Sequence, residues 1–145
     1  MGKYPIEPRI AVSNAEYPES QVTAVLPALR RTSGRIIFTS SGAAVNAYTG
    51  WGAYGASKAA LNHLALTLGA EEPGVTSISI RPGVVDTDMQ RDIREVHGPS
   101  MKEQDVARFH NLHQEGGLLK PEQPGHVIAK LALDAPKELS GRFLR

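Results

Sequence analysis

Tyr54 and Lys58 stand four residues apart in the stretch SSGAAVNAYTGWGAYGASK, which runs from Ser40 to Lys58, and Ser41 precedes the tyrosine by thirteen. A spacing of i, i+4 sets a phenol and an ammonium on one helical face, one turn apart. Tyrosine is ordinarily a weak acid with a pKa of about 10, and a neighbouring cation favours the phenolate and brings proton exchange toward neutral pH. A serine hydroxyl held nearby can hydrogen-bond a carbonyl oxygen, or the alkoxide that oxygen becomes. Together the three groups suit proton transfer to or from a carbonyl or alcohol oxygen. Tyr-x-x-x-Lys alone is a common pattern, and its plain reading is a surface tyrosine beside a solvated lysine. Context gives it content: the serine ends an apolar run, the tyrosine opens a helix, and RPGVVDTDM follows at Arg81–Met89.

These residues need elements to position them. Arg35–Thr39 is a short apolar run of the kind buried on both faces in a parallel sheet. The pattern predicts a helix from about Gly52 to Glu71, ended by Glu-Glu-Pro-Gly. With Ala59, Ala60, Leu61, Leu64, Ala65 and Leu68 it is apolar around much of its circumference, which predicts burial on more than one side. Val75–Arg81 reads as a second strand, broken by Pro82-Gly83 at the sheet edge where open α/β folds bind ligands. Residues 88–120 are polar, with helical stretches around Met89–Val96 and Lys102–Gln114, and are long for a plain loop; a substrate-covering lid is the expectation.

Upstream, residues 1–18 carry Pro5, Pro8 and Pro18 and read as irregular. Val22, Val25, Leu26 and Leu29 then make the apolar stripe of a helix over Glu19–Arg31, which Thr32-Ser33-Gly34 ends. Downstream, a helix begins near Pro121, with Val127, Ile128, Leu131 and Leu133 as core candidates, and Leu139–Leu144 reads as a last short strand. The count is three strands.

Composition narrows the function classes. The chain has 145 residues, 41% of them hydrophobic, enough for one globular domain with a core. A net charge of +1 gives no basic footprint for nucleic acid. There is no cysteine, hence no disulfide framework and no thiolate metal site, which fits a reducing compartment. No eighteen-residue apolar run is present to span a membrane, and the first residues have no signal-peptide core, so the expectation is a cytoplasmic protein.

Ser-Ser-Gly after the strand, Tyr-Gly-Ala-Ser-Lys-Ala-Ala and Arg-Pro-Gly-Val-Val-Asp-Thr-Asp-Met together resemble the short-chain dehydrogenase/reductase family. WGAYGASKAALNH with VDTDMQ is similar to the fungal benzil reductase-like branch, related to sepiapterin reductase. The resemblance runs from about Gln21 to the C-terminus and covers the second half of that family's domain. It implies an α/β fold, the C-terminal part of a Rossmann-type doubly wound parallel sheet, and an NADP(H)-dependent carbonyl or diketone reductase, with NAD(H) not excluded. Tyr54 would be the general acid and, with Lys58, one of the cofactor-binding residues. Lys58 would support the tyrosinate and hydrogen-bond the nicotinamide ribose, and Ser41, at the family's spacing, would position the carbonyl. Ser40 would be a structural neighbour. Pro82 and Gly83 would shape the nicotinamide pocket, while the Val85 backbone and the Thr87 hydroxyl would hold the carboxamide. Thr87 could equally be a helix N-cap. The family's fourth catalytic residue is an asparagine, and Asn14, 27 residues before Ser41, is the candidate, although Pro18 interrupts the helix expected around it. The partners implied are a small carbonyl or alcohol substrate and a second copy of the chain, a dimer or tetramer through the 52–71 helix.

Gly50-Trp51-Gly52-Ala53-Tyr54-Gly55 spells G-x-G-x-x-G, with acidic Glu71 and Glu72 about twenty residues on. A pyrophosphate-binding turn must follow its strand directly, and here ten residues intervene. The match is accidental, and the family's own glycine-rich turn has no counterpart. The alternative expectation is therefore a truncated chain unable to bind cofactor, or an interaction partner of full-length relatives. His110 and His113 share a helical face, but no third ligand accompanies them, so no metal site is expected.

Overall fold

The computed structural model describes residues 10–13 and 18–145. Its strands are β1 (Ile10–Ser13), β2 (Arg35–Thr39), β3 (Thr76–Ile80) and β4 (Phe143–Leu144), hydrogen-bonded side by side in that order and all parallel. Its helices are α1 (Pro18–Thr32), α2 (Gly52–Glu71), α3 (Asp88–Asp92), α4 (Glu103–Gln114) and α5 (Glu122–Asp134). A single π turn, Ile93–His97, and a 3-10 turn, Gly98–Ser100, join α3 to α4.

The register follows from the apolar run. Ile36, Ile37 and Phe38 are all fully buried, so β2 feeds both faces of the sheet. Ile36 and Phe38 pack with Val22 and Leu29 of α1 and with Leu61, Ala65 and Leu68 of α2. Ile37 turns to the other face and meets Ile78, Ile80, Ala132 and Ala135. Helices thus cover both faces, as a doubly wound sheet requires.

Several expectations change. Residues 1–18 were expected to be irregular, yet Ile10–Ser13 is a strand paired with Arg35–Phe38, so the described residues give the sheet four strands where three were expected. The prolines bracket that strand without entering it, and α1 takes Pro18 at its first position, where a missing N–H costs nothing. On α5 the core face runs through Ile128, Leu131, Ala132 and Ala135 at i, i+3, i+4 and i+7, leaving Val127 and Leu133 exposed. α2 buries one stripe, Leu61, Ala65 and Leu68, and Leu66 on its outer side is 56% exposed. The last strand is only two residues long, because Lys137–Leu139 forms a 3-10 turn first. β3 spans Thr76–Ile80, one residue shorter at each end than the pattern suggested.

Beyond the strand ends the ladder continues: Ser40 N–H donates to Ile80 O at 2.8 Å, and Arg81 N–H to Leu144 O at 2.9 Å. This brings Ser40–Ser41 and Arg81–Gly83 side by side at the carboxyl edge of the sheet.

Candidate active site

Ser41 leaves β2 in extended conformation and caps a 3-10 turn over Gly42–Ala44, its Oγ accepting the Ala43 N–H at 3.2 Å. A hydroxyl that accepts one bond still has its proton to donate. Ser40 also borders the cleft but is buried, and its Oγ donates to Lys58 O at 3.2 Å. Ser40 ties the helix to the strand, while the Ser41 hydroxyl proton is not used in the capping bond.

Tyr54 and Lys58 lie on the first turns of α2, with Lys58 Nζ 5.7 Å from the centre of the Tyr54 ring. Lys58 Nζ donates to Thr39 O at 2.9 Å, tying the ammonium to the end of β2. Burial pushes the Lys58 pKa below its usual value. Gly55 makes the approach possible, because a Cβ there would stand 2.8 Å from Ala43 O, closer than side-chain carbons come to backbone oxygens.

Lys58 sets a pH dependence whose sign is fixed. With the folded pKa lowered, the unfolded chain holds more protons between the two values, so stability rises with pH through that interval. The penalty of a partly desolvated cation is complete below the folded pKa and gone above the ordinary lysine value near 10.5. Compared with Lys58→Met, the wild type should gain in chemical denaturation midpoint between pH 7.5 and pH 10. A gap between the two proteins that stays constant with pH would refute this.

After β3 the chain turns at Pro82-Gly83. Gly83 has φ +87°, a backbone conformation strained for any L side chain, which is what calls for glycine there. Val85 forms a parallel bridge with Leu119: Leu119 N–H donates to Val84 O, and Asp86 N–H to Leu119 O, both at 2.9 Å. That pattern directs the N–H and C=O of Val85 itself away from Leu119. Thr87 occupies the N-cap position of α3 without a capping bond, and its Oγ1 instead donates to Val85 O at 3.3 Å.

Ser41, Tyr54, Lys58, Pro82, Gly83, Val85 and Thr87 all line one cleft of about 360 Å³. A second cavity, about 460 Å³, adjoins it and shares Trp51, Tyr54, Met89 and Ile93 with it. Between the two stands an aromatic cluster. Trp51 stacks on Phe109 of α4, with centroids 5.6 Å apart at 17°, and meets Tyr54 edge-on at 5.5 Å. Segment 88–120 therefore lies against the cleft through Met89, Gln90, Ile93, Arg108 and Phe109.

The Ser-Gly-Ala turn, the Tyr-x-x-x-Lys helix and the Pro-Gly loop meet at the edge of a parallel sheet. The short chain dehydrogenase family model matches residues 18–98. The chain belongs to that family. Benzil reductase ((S)-benzoin forming) of Saccharomyces cerevisiae is 48% identical over 132 residues, covering 87% of this chain and 50% of that protein. Sepiapterin reductase of Meriones unguiculatus is 40% identical over 93 residues, 64% of this chain and 33% of that protein. Among solved structures, a short-chain dehydrogenase/reductase of Saccharomyces cerevisiae, YIR035C, superposes with a TM-score of 0.84 at 46% identity, over 86% of this chain and 50% of that one. The chain spans about half the length of these yeast relatives. By descent it is a short-chain dehydrogenase oxidoreductase.

Asn14 lies outside the described residues. His110 and His113 border a separate polar cavity with Arg91, Arg94 and Glu95, and no group of three metal-ligating side chains occurs among the described residues. Nor is any described helix long and apolar enough to cross a membrane. The G-x-G-x-x-G at Gly50–Gly55 runs into the first turn of α2, twelve residues of non-strand chain after β2. Gln90 went unnoticed in the sequence. It is 7% exposed, lines the cleft, and its Oε1 has no hydrogen-bond partner. The signal for it was Thr87-x-x-Gln90, which reads as an ordinary capping box.

Proposed function

We propose that this site is that of an NADP(H)-linked carbonyl reductase acting on small dicarbonyl or aryl ketone substrates. The observation that supports it is the convergence of Ser41, Tyr54 and Lys58 with the Pro82–Thr87 loop on one cleft. The substrate class draws on the benzil reductase relative and on the apolar wall of Trp51, Met89, Ile93 and Phe109. NADP(H) rather than NAD(H) rests on the resemblance alone.

The described residues suit the nicotinamide end of such a cofactor. Lys58 would meet its ribose, and the Val85 backbone and Thr87 would meet its carboxamide. When bound, the cofactor supplies a hydride to the carbonyl carbon. The chain's own residues do the rest: the Ser41 O–H holds the carbonyl oxygen, and the Tyr54 O–H gives that oxygen its proton, leaving an alcohol. Lys58, an ammonium tied to Thr39 O, stabilises the negative charge left on the Tyr54 oxygen. The same cleft would run the reverse reaction, with Tyr54 as base. The outer side of α2, with Leu66 exposed, is the surface through which two copies would associate.

The test is an NADPH titration of the purified 145-residue chain followed by benzil reduction, read as loss of absorbance of the reduced cofactor. Saturable binding that raises the melting temperature, with benzil-dependent oxidation, is the expected result. A folded chain that neither binds NADPH nor oxidises it would overturn the reading.

A further inference from the structure

The chain has three methionines, and the two beyond Met1, Met89 and Met101, line the same cavity of about 460 Å³ beside the cleft. Methionine is unbranched, with three rotatable bonds and a polarisable thioether, so it moulds to what it touches and makes favourable sulfur contacts with aromatic rings. Met89 is 55% exposed although its side chain is large and apolar. A single exposed hydrophobe on a surface needs no explanation. This one borders both the cleft and the cavity, next to the buried Ile93.

Two stretches of chain wall the cavity. Gly50, Trp51 and Tyr54 come from the entry to α2, while Met89 and Met101 come from α3 and from the end of the turns that follow it. The two stretches meet closely: Gly50 has φ +81°, and a Cβ on it would lie 3.4 Å from Ser100 O. Met101 N–H donates to Gly98 O at 3.0 Å, and Met89 belongs to the first turn of α3. Each methionine thus hangs from a hydrogen-bonded turn and presents a flexible side chain to the cavity. The polar lining residues Asp92, His97 and Ser100 are all exposed, so water can serve them. What remains of the wall is aromatic or aliphatic, and a cavity of this size and lining suits a flat apolar group.

We infer that Met89 and Met101 are specificity-determining residues that clasp an aryl ring of the ketone substrate in this cavity. The inference rests on the reading of the cleft as a carbonyl reductase site. Tyr54 lines both hollows, so a carbonyl whose oxygen meets the Tyr54 O–H has room for one substituent in the cavity. The thioethers favour an aromatic substituent and adapt to its outline, so rings of differing substitution are accepted.

The test labels the methionine methyl groups of the 145-residue chain with carbon-13 and assigns two of their three signals with Met89→Leu and Met101→Leu. The probe is acetophenone, added with and without NADP+. A ketone and the oxidised cofactor do not react with each other, so the complex does not turn over. Saturable binding should shift the Met89 and Met101 signals, because the ring current of the probe acts at close range. Butanone, a methyl ketone without the ring, should shift neither at the same concentration. Met89→Ala should weaken acetophenone about two- to tenfold, read at Met101, and Met101→Ala should do the same, read at Met89; this is the range of a sulfur–aromatic contact. The wild-type shifts decide the matter even where an alanine variant fails to fold.

Signals that stay in place both with and without NADP+ overturn the inference. Equal shifts with butanone do so too, as do alanine variants that bind acetophenone as tightly as wild type. Signals that move with protein concentration and not with acetophenone also overturn it, giving this surface to a second copy of the chain. Failure of the reductase reading shows differently: acetophenone shifts both signals, yet wild type with NADPH reduces no carbonyl compound.

Discussion

Replacing Tyr54 by phenylalanine is expected to lower carbonyl turnover by about 10²- to 10⁴-fold while leaving NADPH affinity within a factor of two, the range for loss of a positioned general acid. The substitution removes one oxygen and keeps the ring. The edge-on contact with Trp51, at 5.5 Å, and the approach of Lys58 to the ring face therefore persist. What is lost is the proton that a carbonyl oxygen needs as its carbon accepts hydride. Single-turnover absorbance at saturating NADPH measures this directly. Turnover within tenfold of wild type would assign the proton to another group in the cleft. A matching loss of cofactor affinity would instead place Tyr54 in binding.

The largest stability effect is expected at Phe38. Phe38→Ala should cost about 3–5 kcal/mol, as truncation of a fully buried phenylalanine does, and lower the melting temperature by about 10 °C or more. The ring is fully buried at the centre of the core shared by α1, α2 and β2. Its neighbours on that face come from three elements, so no single side chain can move in to fill the space. The effect reaches the site, because Phe38 lies three residues before Ser41 and pairs in register with Ser79 of the central strand. Denaturant unfolding checks the prediction, and a cost below about 1 kcal/mol would show that the core collapses around the gap.

The parts of this chain legible in its sequence were those governed by local patterns. The boundaries of α2 were readable because glycine-rich turn chemistry precedes the helix and Glu-Glu-Pro-Gly stops it. Ser41, Tyr54, Lys58 and the Pro82–Thr87 loop could be nominated together because their motifs resemble those of the family, and the fold brings them to one cleft. β1 was hidden for the opposite reason. Ile10–Ser13 is four residues long with prolines on either side, and among the described residues its strand partner begins 25 residues away, so nothing local distinguishes it from loop. The α5 face was half legible: four apolar positions were visible, but which of them faced inward depended on where the sheet lay. Within this single chain α2 buries one stripe, Leu61, Ala65 and Leu68, and leaves the outer side of its apolar surface uncovered. Gln90 could not be read because the capping-box pattern explains it fully until the coordinates show that neither bond is made.

The stack of Phe109, Trp51 and Tyr54 has a thermodynamic consequence. Trp51 is the N-cap residue of α2, directly before the helix that carries Tyr54, and Phe109 belongs to the segment that packs over the cleft. That segment and the Tyr54 phenol thus pack against opposite sides of the same indole. The Phe109–Trp51 pair contributes about 0.5–1.5 kcal/mol beyond area burial, a bias of roughly two- to twelvefold toward the docked form. A ligand that prefers the docked form would then also favour this orientation of the Tyr54 phenol. A substitution at Phe109, on a different helix from any proton-transfer group, would be felt as a slower proton transfer at Tyr54.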